Sequence, residues 1–327
     1  MMRAFPTPIK NMKSEPICNA AFDIIGDIHG HYDKLTALLK TLGYRAEAGT
    51  WLHPEGRRVL FLGDFIDRGP RIRRVLGLVR NMCEAGTALA IMGNHEYNAV
   101  CYHTPDGKGG HLRPREPKNR SQHAATLAEF FDHHDEWADW IEWMKALPFY
   151  LDLGPLRAVH ASWHPGEVAA LNGASLRDAE FLKASAINGS PEFRAVETLL
   201  KGVELDLPGG ATYPDKDGHH RKAIRSRWWE NAPLGMNYRE LIFPPADTPP
   251  EHLVPDADLA ALPGYGAEEP PVFIGHYWLP AEATPAPLRH NIACLDYSAA
   301  KDGPLVAYRW DGERELAADK FITTPNP

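Results

Sequence analysis

Val59-Leu60-Phe61-Leu62-Gly63-Asp64-Phe65-Ile66-Asp67-Arg68-Gly69 is the stretch around which the rest of the chain is arranged. Its apolar head reads as a buried strand. Gly63 lets the backbone turn sharply, and Asp64, Asp67, Arg68 and a second glycine follow at once. Loops at the carboxyl ends of strands are where α/β proteins carry their sites. One such junction alone reads as a turn with surface charges. Here the grammar recurs. Ala21-Phe22-Asp23-Ile24-Ile25 runs into Gly26-Asp27-Ile28-His29-Gly30, and Ala88-Leu89-Ala90-Ile91-Met92 runs into Gly93-Asn94-His95-Glu96. Each junction delivers Asp, His or Asn beside a glycine.

Between these junctions the periodicity is helical. Leu35, Leu38, Leu39 and Leu42 share one face of a helix over residues 32–42, which Gly43 stops. Pro70 suits a helix start, and Ile72, Val75, Leu76, Val79 and Met82 form the next apolar face, with Arg71, Arg73, Arg74 and Arg80 outward. The pattern β-α-β-α-β predicts parallel strands with right-handed crossovers. A short helix follows Glu96. Residues 104–122 have no apolar period and several glycines and prolines, so they read as a loop. Lys108, His111, Arg113, Arg115, Lys118 and Arg120 make it either a solvated surface or a lid for a polyanion. Residues 124–146 read as one strong helix, with Leu127, Phe130, Phe131, Trp137, Trp140, Ile141 and Met144 apolar. Within it, His133-His134-Asp135-Glu136 reads as a polar turn, because adjacent side chains diverge on a helix.

Strands are expected over residues 149–153 and 156–161, the second delivering His160. Helical segments fill residues 176–201. Asp215, Asp217 and Gly218 suggest a calcium loop, but the closing bidentate Glu is missing and that reading is rejected. A proline-rich loop over 244–271 precedes Val272-Phe273-Ile274-Gly275-His276, a fifth strand ending in a candidate ligand. Further strands are expected over 291–297, 305–310 and 315–322. No internal repeat is present. These elements predict an α/β protein with a mixed two-sheet core, helices outside and a cap built from insertions.

The chain has 327 residues and a net charge of −8. That charge argues against broad nucleic-acid binding. Cys18, Cys83, Cys101 and Cys294 are scattered without metal-type spacing and read as free thiols in a reducing compartment. No apolar run is long enough to span a membrane. Residues 1–20, with Pro6, Pro8 and Pro16, read as a loose extension rather than a secretory signal. Cytoplasm is the expected location.

The candidate ligands are Asp27, His29, Asp64, Asn94, His160 and His276. Mixed oxygen and nitrogen donors in this number suit two divalent ions, with manganese, iron or zinc preferred over calcium. Asp27 and His29 could aim at one ion, Asp64 could bridge, and Asn94, His160 and His276 could complete the second. Such a pair, about 3.5–4 Å apart, can aim a hydroxide in line at phosphorus. Arg68 offers a planar fork for phosphate oxygens. His95 could protonate the leaving oxygen, and Asp67 could orient that imidazole and keep it charged.

Taken together, the five motifs Gly26 to Gly30, Gly63 to Gly69, Gly93 to Glu96, Val159-His160-Ala161 and Gly275-His276 resemble the signature of calcineurin-like metallophosphoesterases. More narrowly they resemble the phosphoprotein-phosphatase branch. That branch includes serine/threonine phosphatases, bacterial diadenosine tetraphosphatases and the phosphatase domain of bacterial polynucleotide kinase-phosphatases. The resemblance implies a four-layer α/β/β/α sandwich of two mixed sheets with inserted capping loops. It implies one such domain over residues 21–327, with insertions at about 104–122, 203–227 and 244–271. It implies the same dinuclear ligand set, with manganese first and iron, zinc, nickel or magnesium as alternatives. Phosphate binding would fall to Arg68 and Asn94, and acid catalysis to His95 with Asp67. The stretch around Arg225-Ser226-Arg227-Trp228-Trp229 is similar to an insertion of the polynucleotide kinase-phosphatase domain. By that resemblance Arg225, then Arg227, would hold substrate. Tyr277-Trp278 and Leu295-Asp296-Tyr297-Ser298 depart from the usual family pattern near the second metal or the substrate mouth. With no kinase or ligase domain alongside, a complete RNA-repair enzyme is not expected.

The leading expectation is a metal-dependent phosphoesterase acting on a phosphorylated small molecule or a nucleotide polyphosphate, with no membrane partner. A serine/threonine phosphatase would instead need an open groove. A nucleotide phosphodiesterase or RNA-end phosphatase is a further enzymatic alternative. A non-catalytic metal-stabilised module would have no use for His95, Asp67 and Arg68 together.

Overall fold

The structure, a computed structural model, describes residues 21–47, 49–214, 220–246 and 251–324. The expected N-terminal extension, Cys18 and the rejected calcium loop at Asp215, Asp217 and Gly218 lie outside the described residues. Two mixed sheets form the centre. The first runs in the order Phe321–Thr323, Val306–Trp310, Phe22–Ile25, Arg58–Phe61, Ala88–Ala90. Its last three strands are parallel, and the strand Val306–Trp310 is antiparallel to both of its neighbours. The second sheet runs Ile292–Cys294, Val272–Ile274, Arg157–Val159, Tyr150–Asp152, parallel except for its last pair. Parallel strands buried on both faces need continuous apolar runs. Phe22, Ile24, Ile25, Val59, Leu60, Phe61, Val272, Phe273 and Ile274 are all fully buried.

The sheets meet where the Phe273 ring packs 5.2 Å from Tyr308. Helices Tyr32–Thr41 and Ile72–Glu84 cover the first sheet through the apolar faces read from the sequence, with Leu35, Leu38, Leu39, Val75 and Val79 fully buried. Helix Pro191–Lys201 lies beside the second sheet, and its Leu199 carbonyl accepts from the Ala161 amide at 2.9 Å. The layers are thus α/β/β/α. A second, smaller core gathers Leu205, Ile224, Tyr238, Leu241 and Leu259 from the late insertions.

Several elements differ from the sequence reading. The loop expected over 104–122 ends in a helix, Pro117–Gln122, started by proline at its first position. The helix expected over 124–146 is two helices, Ala124–Glu129 and His134–Met144. Between them Phe130 turns into the core and Phe131 turns outward, 71% exposed. The segment 176–201 divides into Ala179–Ser185 and Pro191–Lys201. There Gly189 takes a positive φ and the Ser190 hydroxyl caps the second helix through Phe193 N–H. The short helices Pro165–Ala170 and Asp256–Ala260 were not expected. The strand expected over 315–322 shrinks to Phe321–Thr323, because the Leu316 amide is drawn to the His290 carbonyl and a 3₁₀ turn intervenes. Local pattern does not register pulls of that kind.

Candidate active site

The parallel strands of each sheet end at a common edge, which brings their glycine junctions together. Gly63 has φ 92°, and its backbone lies against Gly93. A Cβ on Gly93 would sit 2.2 Å from Asp64 Oδ1 and 2.3 Å from the Asp64 amide. A Cβ on Gly275 would sit 2.1 Å from Asp27 Oδ1. These glycines are close-approach positions, where any side chain would displace a carboxylate. Glu96, fully buried, joins the two loops. Its carboxylate accepts from the Asp64 amide at 2.8 Å, the Phe65 amide at 2.8 Å and the Gly93 amide at 3.0 Å. Burial, then the neighbouring Asp64, pushes Glu96 up to about 7.

Strain collects at the same edge. Among the described residues, those other than glycine with left-handed φ are His29, Asp64, Asp67, Arg68, His276, Trp278 and Ser298. Such backbone costs on the order of 1–3 kcal/mol per residue and persists only where its surroundings enforce it. Five of these residues are candidate site residues from the sequence.

Asp64 is central. Its Oδ2 lies 3.5 Å from His29 Nε2 and 3.9 Å from His95 Nε2, and its Oδ1 lies 3.5 Å from His160 Nε2. One carboxylate thus shows a different oxygen to each side. Asp27, Asp64 and His160 present ligand atoms within 4.8 Å of one another, as do His29, Asp64 and His95. The two groups share Asp64, which stands between Asp27 and His160 on one side and His29 and His95 on the other. The Asp27 carboxylate accepts from the His276 amide at 3.1 Å. Asn94 Oδ1 sits 2.8 Å from His276 Nδ1 and 3.1 Å from His160 Nε2. All six candidate ligands are therefore in one buried cluster.

The donor set fits cations. His29 donates Nδ1–H to the Ile66 carbonyl at 2.9 Å, and His160 donates Nδ1–H to the Leu62 carbonyl at 2.7 Å. That leaves the His29 Nε2 lone pair facing Asp64, an arrangement a metal ion would relieve, while the His160 Nε2 lies against Asp64 and Asn94. The Nε2 atoms of His29 and His276 are buried without a hydrogen-bond partner. Burial holds His29 down at about 3 and His276 well below its usual range, with Arg225 adding to the second effect. Burial, then Asp296, raises Asp27. Although burial opposes it, His160, His95 and His29 hold Asp64 well below the carboxylate range, and Asp64 in turn lifts His160 to about 10.

Beside the cluster, His95 Nδ1 lies 2.5 Å from Asp67 Oδ2. The other Asp67 oxygen accepts from His123 Nδ1 at 2.7 Å and from the Thr126 hydroxyl at 2.5 Å. Against burial, the bonds from His123 and His95 hold Asp67 far below the carboxylate range. Asp64 and Asp67 raise His95 despite its burial. The Arg68 guanidinium lies over the Trp278 ring, 4.0 Å from its centroid, and Lys301 lies 5.1 Å from the same ring. Arg225 is close enough to depress His276. Arg227 instead lines an open groove with Pro233, Leu234 and Met236, residues outside the cluster.

The sequence reading quoted Glu96 and Asp296 without giving them roles and did not single out His123 or Thr126. Glu96 had a signal: it stands three residues after a helix N-cap. His123 and Thr126 had none, lying 56 and 59 residues from Asp67.

The calcineurin-like phosphoesterase family model matches residues 20–235, and the chain belongs to that family. Over 74 residues it is 49% identical to the bis(5'-nucleosyl)-tetraphosphatase PrpE (asymmetrical) of Halalkalibacterium halodurans, covering 23% of this chain and 30% of that protein. Over 75 residues it is 47% identical to PrpE of Bacillus subtilis, covering 23% of this chain and 31% of that protein. The chain thus spans about a third of the length of these curated relatives. Among solved structures, a metallophosphoesterase from Sphaerobacter thermophilus aligns over 94% of this chain and 89% of its own, at 15% identity and a TM-score of 0.43. A cold-active protein tyrosine phosphatase aligns over 91% of this chain and 78% of its own, at 19% identity and a TM-score of 0.47. At those levels neither structure speaks to substrate. Among the described residues no helix is long and apolar enough to cross a membrane.

Proposed function

We propose that the chain, read as one domain over residues 21–327 with inserted caps, is a metal-dependent phosphoesterase hydrolysing nucleotide polyphosphates in the cytoplasm. The observation that carries this is Asp64, whose two oxygens face His29 and His160 beside the bonded pair His95–Asp67. The nucleotide class is favoured by the local identity to bis(5'-nucleosyl)-tetraphosphatases.

Asp27, His29, Asp64, Asn94, His160 and His276 would hold two divalent ions, manganese first. When bound, such ions supply Lewis acidity toward phosphoryl oxygens and lower the pKa of water. Arg68, braced on Trp278, binds non-bridging phosphate oxygens. Asn94 and Arg225 contribute further contacts to the phosphate, and the position of Arg227 disfavours it for that role. His95 donates the proton on Nε2 to the leaving oxygen, while its Nδ1–H stays bonded to Asp67. Asp67 stabilises the imidazolium, and His123 and Thr126 hold Asp67 in place. Glu96 keeps the Asp64 and Asn94 loops in register.

The test is release of nitrophenol from p-nitrophenyl phosphate and its bis-ester, and of mononucleotide from diadenosine tetraphosphate, in chelator and then with manganese. Manganese-dependent cleavage of the dinucleotide is expected. Turnover of none of the three substrates with metal bound would sink the reading.

A further inference from the structure

A second cavity lies behind the acid pair. It holds about 400 Å³, inside the range of about 300–1,000 Å³ typical of small-ligand sites. Its walls are aromatic. Tyr102 and Trp137 line it, and Phe131 stands at its edge with 71% of its surface exposed. Its charge is positive, against the net −8 of the chain. Arg115 and Arg120 line it, and no carboxylate does. The Arg115 guanidinium stacks 5.0 Å from the Tyr102 centroid and its Nε donates to the Tyr102 carbonyl at 3.2 Å, which leaves its terminal nitrogens for an anion. Trp137 is only 7% exposed, and its indole N–H has no hydrogen-bond acceptor.

The place of the cavity is as informative as its lining. His103, on its wall, lies Nε2 to Nε2 at 3.2 Å from His123, whose Nδ1 bonds Asp67. Thr126, also on the wall, bonds the same Asp67 oxygen. One layer of side chains therefore separates the cavity from the pair His95–Asp67.

We propose that this cavity binds a nucleoside phosphate. The base stacks on Phe131 beside the edges of Tyr102 and Trp137, and the phosphate sits on Arg115 and Arg120. An open aromatic ring beside two guanidinia selects a planar aromatic anion. The choice of a nucleotide within that class rests on the proposed function. The same chemistry could come from the second nucleoside half of a dinucleotide substrate or from a free mononucleotide.

Calorimetric titration of the manganese-loaded protein with AMP tests the site, with inorganic phosphate as the probe of the metal centre. In the double variant Arg115→Ala/Arg120→Ala, AMP affinity is expected to fall at least tenfold while phosphate affinity holds. Phe131→Ser, which removes the exposed ring, is expected to weaken AMP severalfold. Turnover of p-nitrophenyl phosphate within twofold of the parent shows that the double variant is folded with its centre intact. A raised KM for diadenosine tetraphosphate in that variant identifies the substrate's second half as the occupant. An unchanged KM with AMP binding lost identifies a free mononucleotide. Equal AMP affinity in parent and double variant overturns the proposal, as does AMP binding no tighter than phosphate in the parent. The titration reads binding alone, so absence of turnover would remove the proposed function and leave this result standing.

Discussion

His95 and Trp278 separate the chemical step from the grip on phosphate. In His95→Ala no proton reaches the leaving oxygen, so kcat for a poor leaving group such as a nucleotide should fall about 10²–10⁴-fold. Nitrophenolate leaves without protonation, so kcat for p-nitrophenyl phosphate should fall far less. Stopped assays on the two substrates decide it, and equal losses would remove the acid role. Trp278 acts through Arg68. Its ring lies 4.0 Å below the guanidinium, and its own strained backbone is tied by its amide to Asp296 at 2.7 Å. A cation–π contact is worth about 0.5–2 kcal/mol. Trp278→Leu should therefore raise KM from about twofold to about thirtyfold by that same energy, leaving kcat nearly constant. A fall in kcat with KM unchanged would contradict this.

The strand-end loops act as a unit. Glu96 satisfies buried amides from the Asp64 loop and from the Gly93 turn, so Glu96→Ala strands several donors at once. At about 1–3 kcal/mol for each stranded group, a loss of at least about 3 kcal/mol is expected, read as a lower urea midpoint with unchanged slope. Gly275→Ala tests the other side. Its Cβ would sit 2.1 Å from Asp27 Oδ1, and Asp27 must move. The variant should fold but bind manganese at least tenfold more weakly, measured by metal content after dialysis. Full metal retention would show that Asp27 is not a ligand.

Across the whole molecule, one ion network, buried at Asp23 and Arg57, ties the first strand to its antiparallel neighbour Val306–Trp310. Asp23, fully buried, bonds Arg57 Nε at 3.2 Å and Arg309 Nε at 2.9 Å, and Arg57 also pairs with Asp311. Arg57→Ala leaves Asp23 undercompensated, and breaking a buried pair costs about 3–5 kcal/mol. The expected outcome is a melting temperature several degrees lower with KM unchanged. The candidate ligands come from both sheets, so cation binding there would be linked to global stability. Manganese at about a hundred times its Kd should add about 2.7 kcal/mol. A chelator should remove that gain, and a melting temperature indifferent to both would show that no ion binds the folded state.

The sequence by itself determined the strand-to-loop junctions, the apolar helix faces and the identity of the residues in the cluster. Each of these is a local pattern: a period of 2 or 3.6 residues, or a glycine beside a ligand. Only the tertiary structure gathered these ligands around Asp64, whose two oxygens face His29 and His160. It alone brought His123 and Thr126 to Asp67 across 56 and 59 residues, turned Phe131 outward and sent Arg225 and Arg227 to different places. The reason is physical. A side chain's partners at long range are set by how the sheets and insertions pack, and no spacing along the chain encodes that distance.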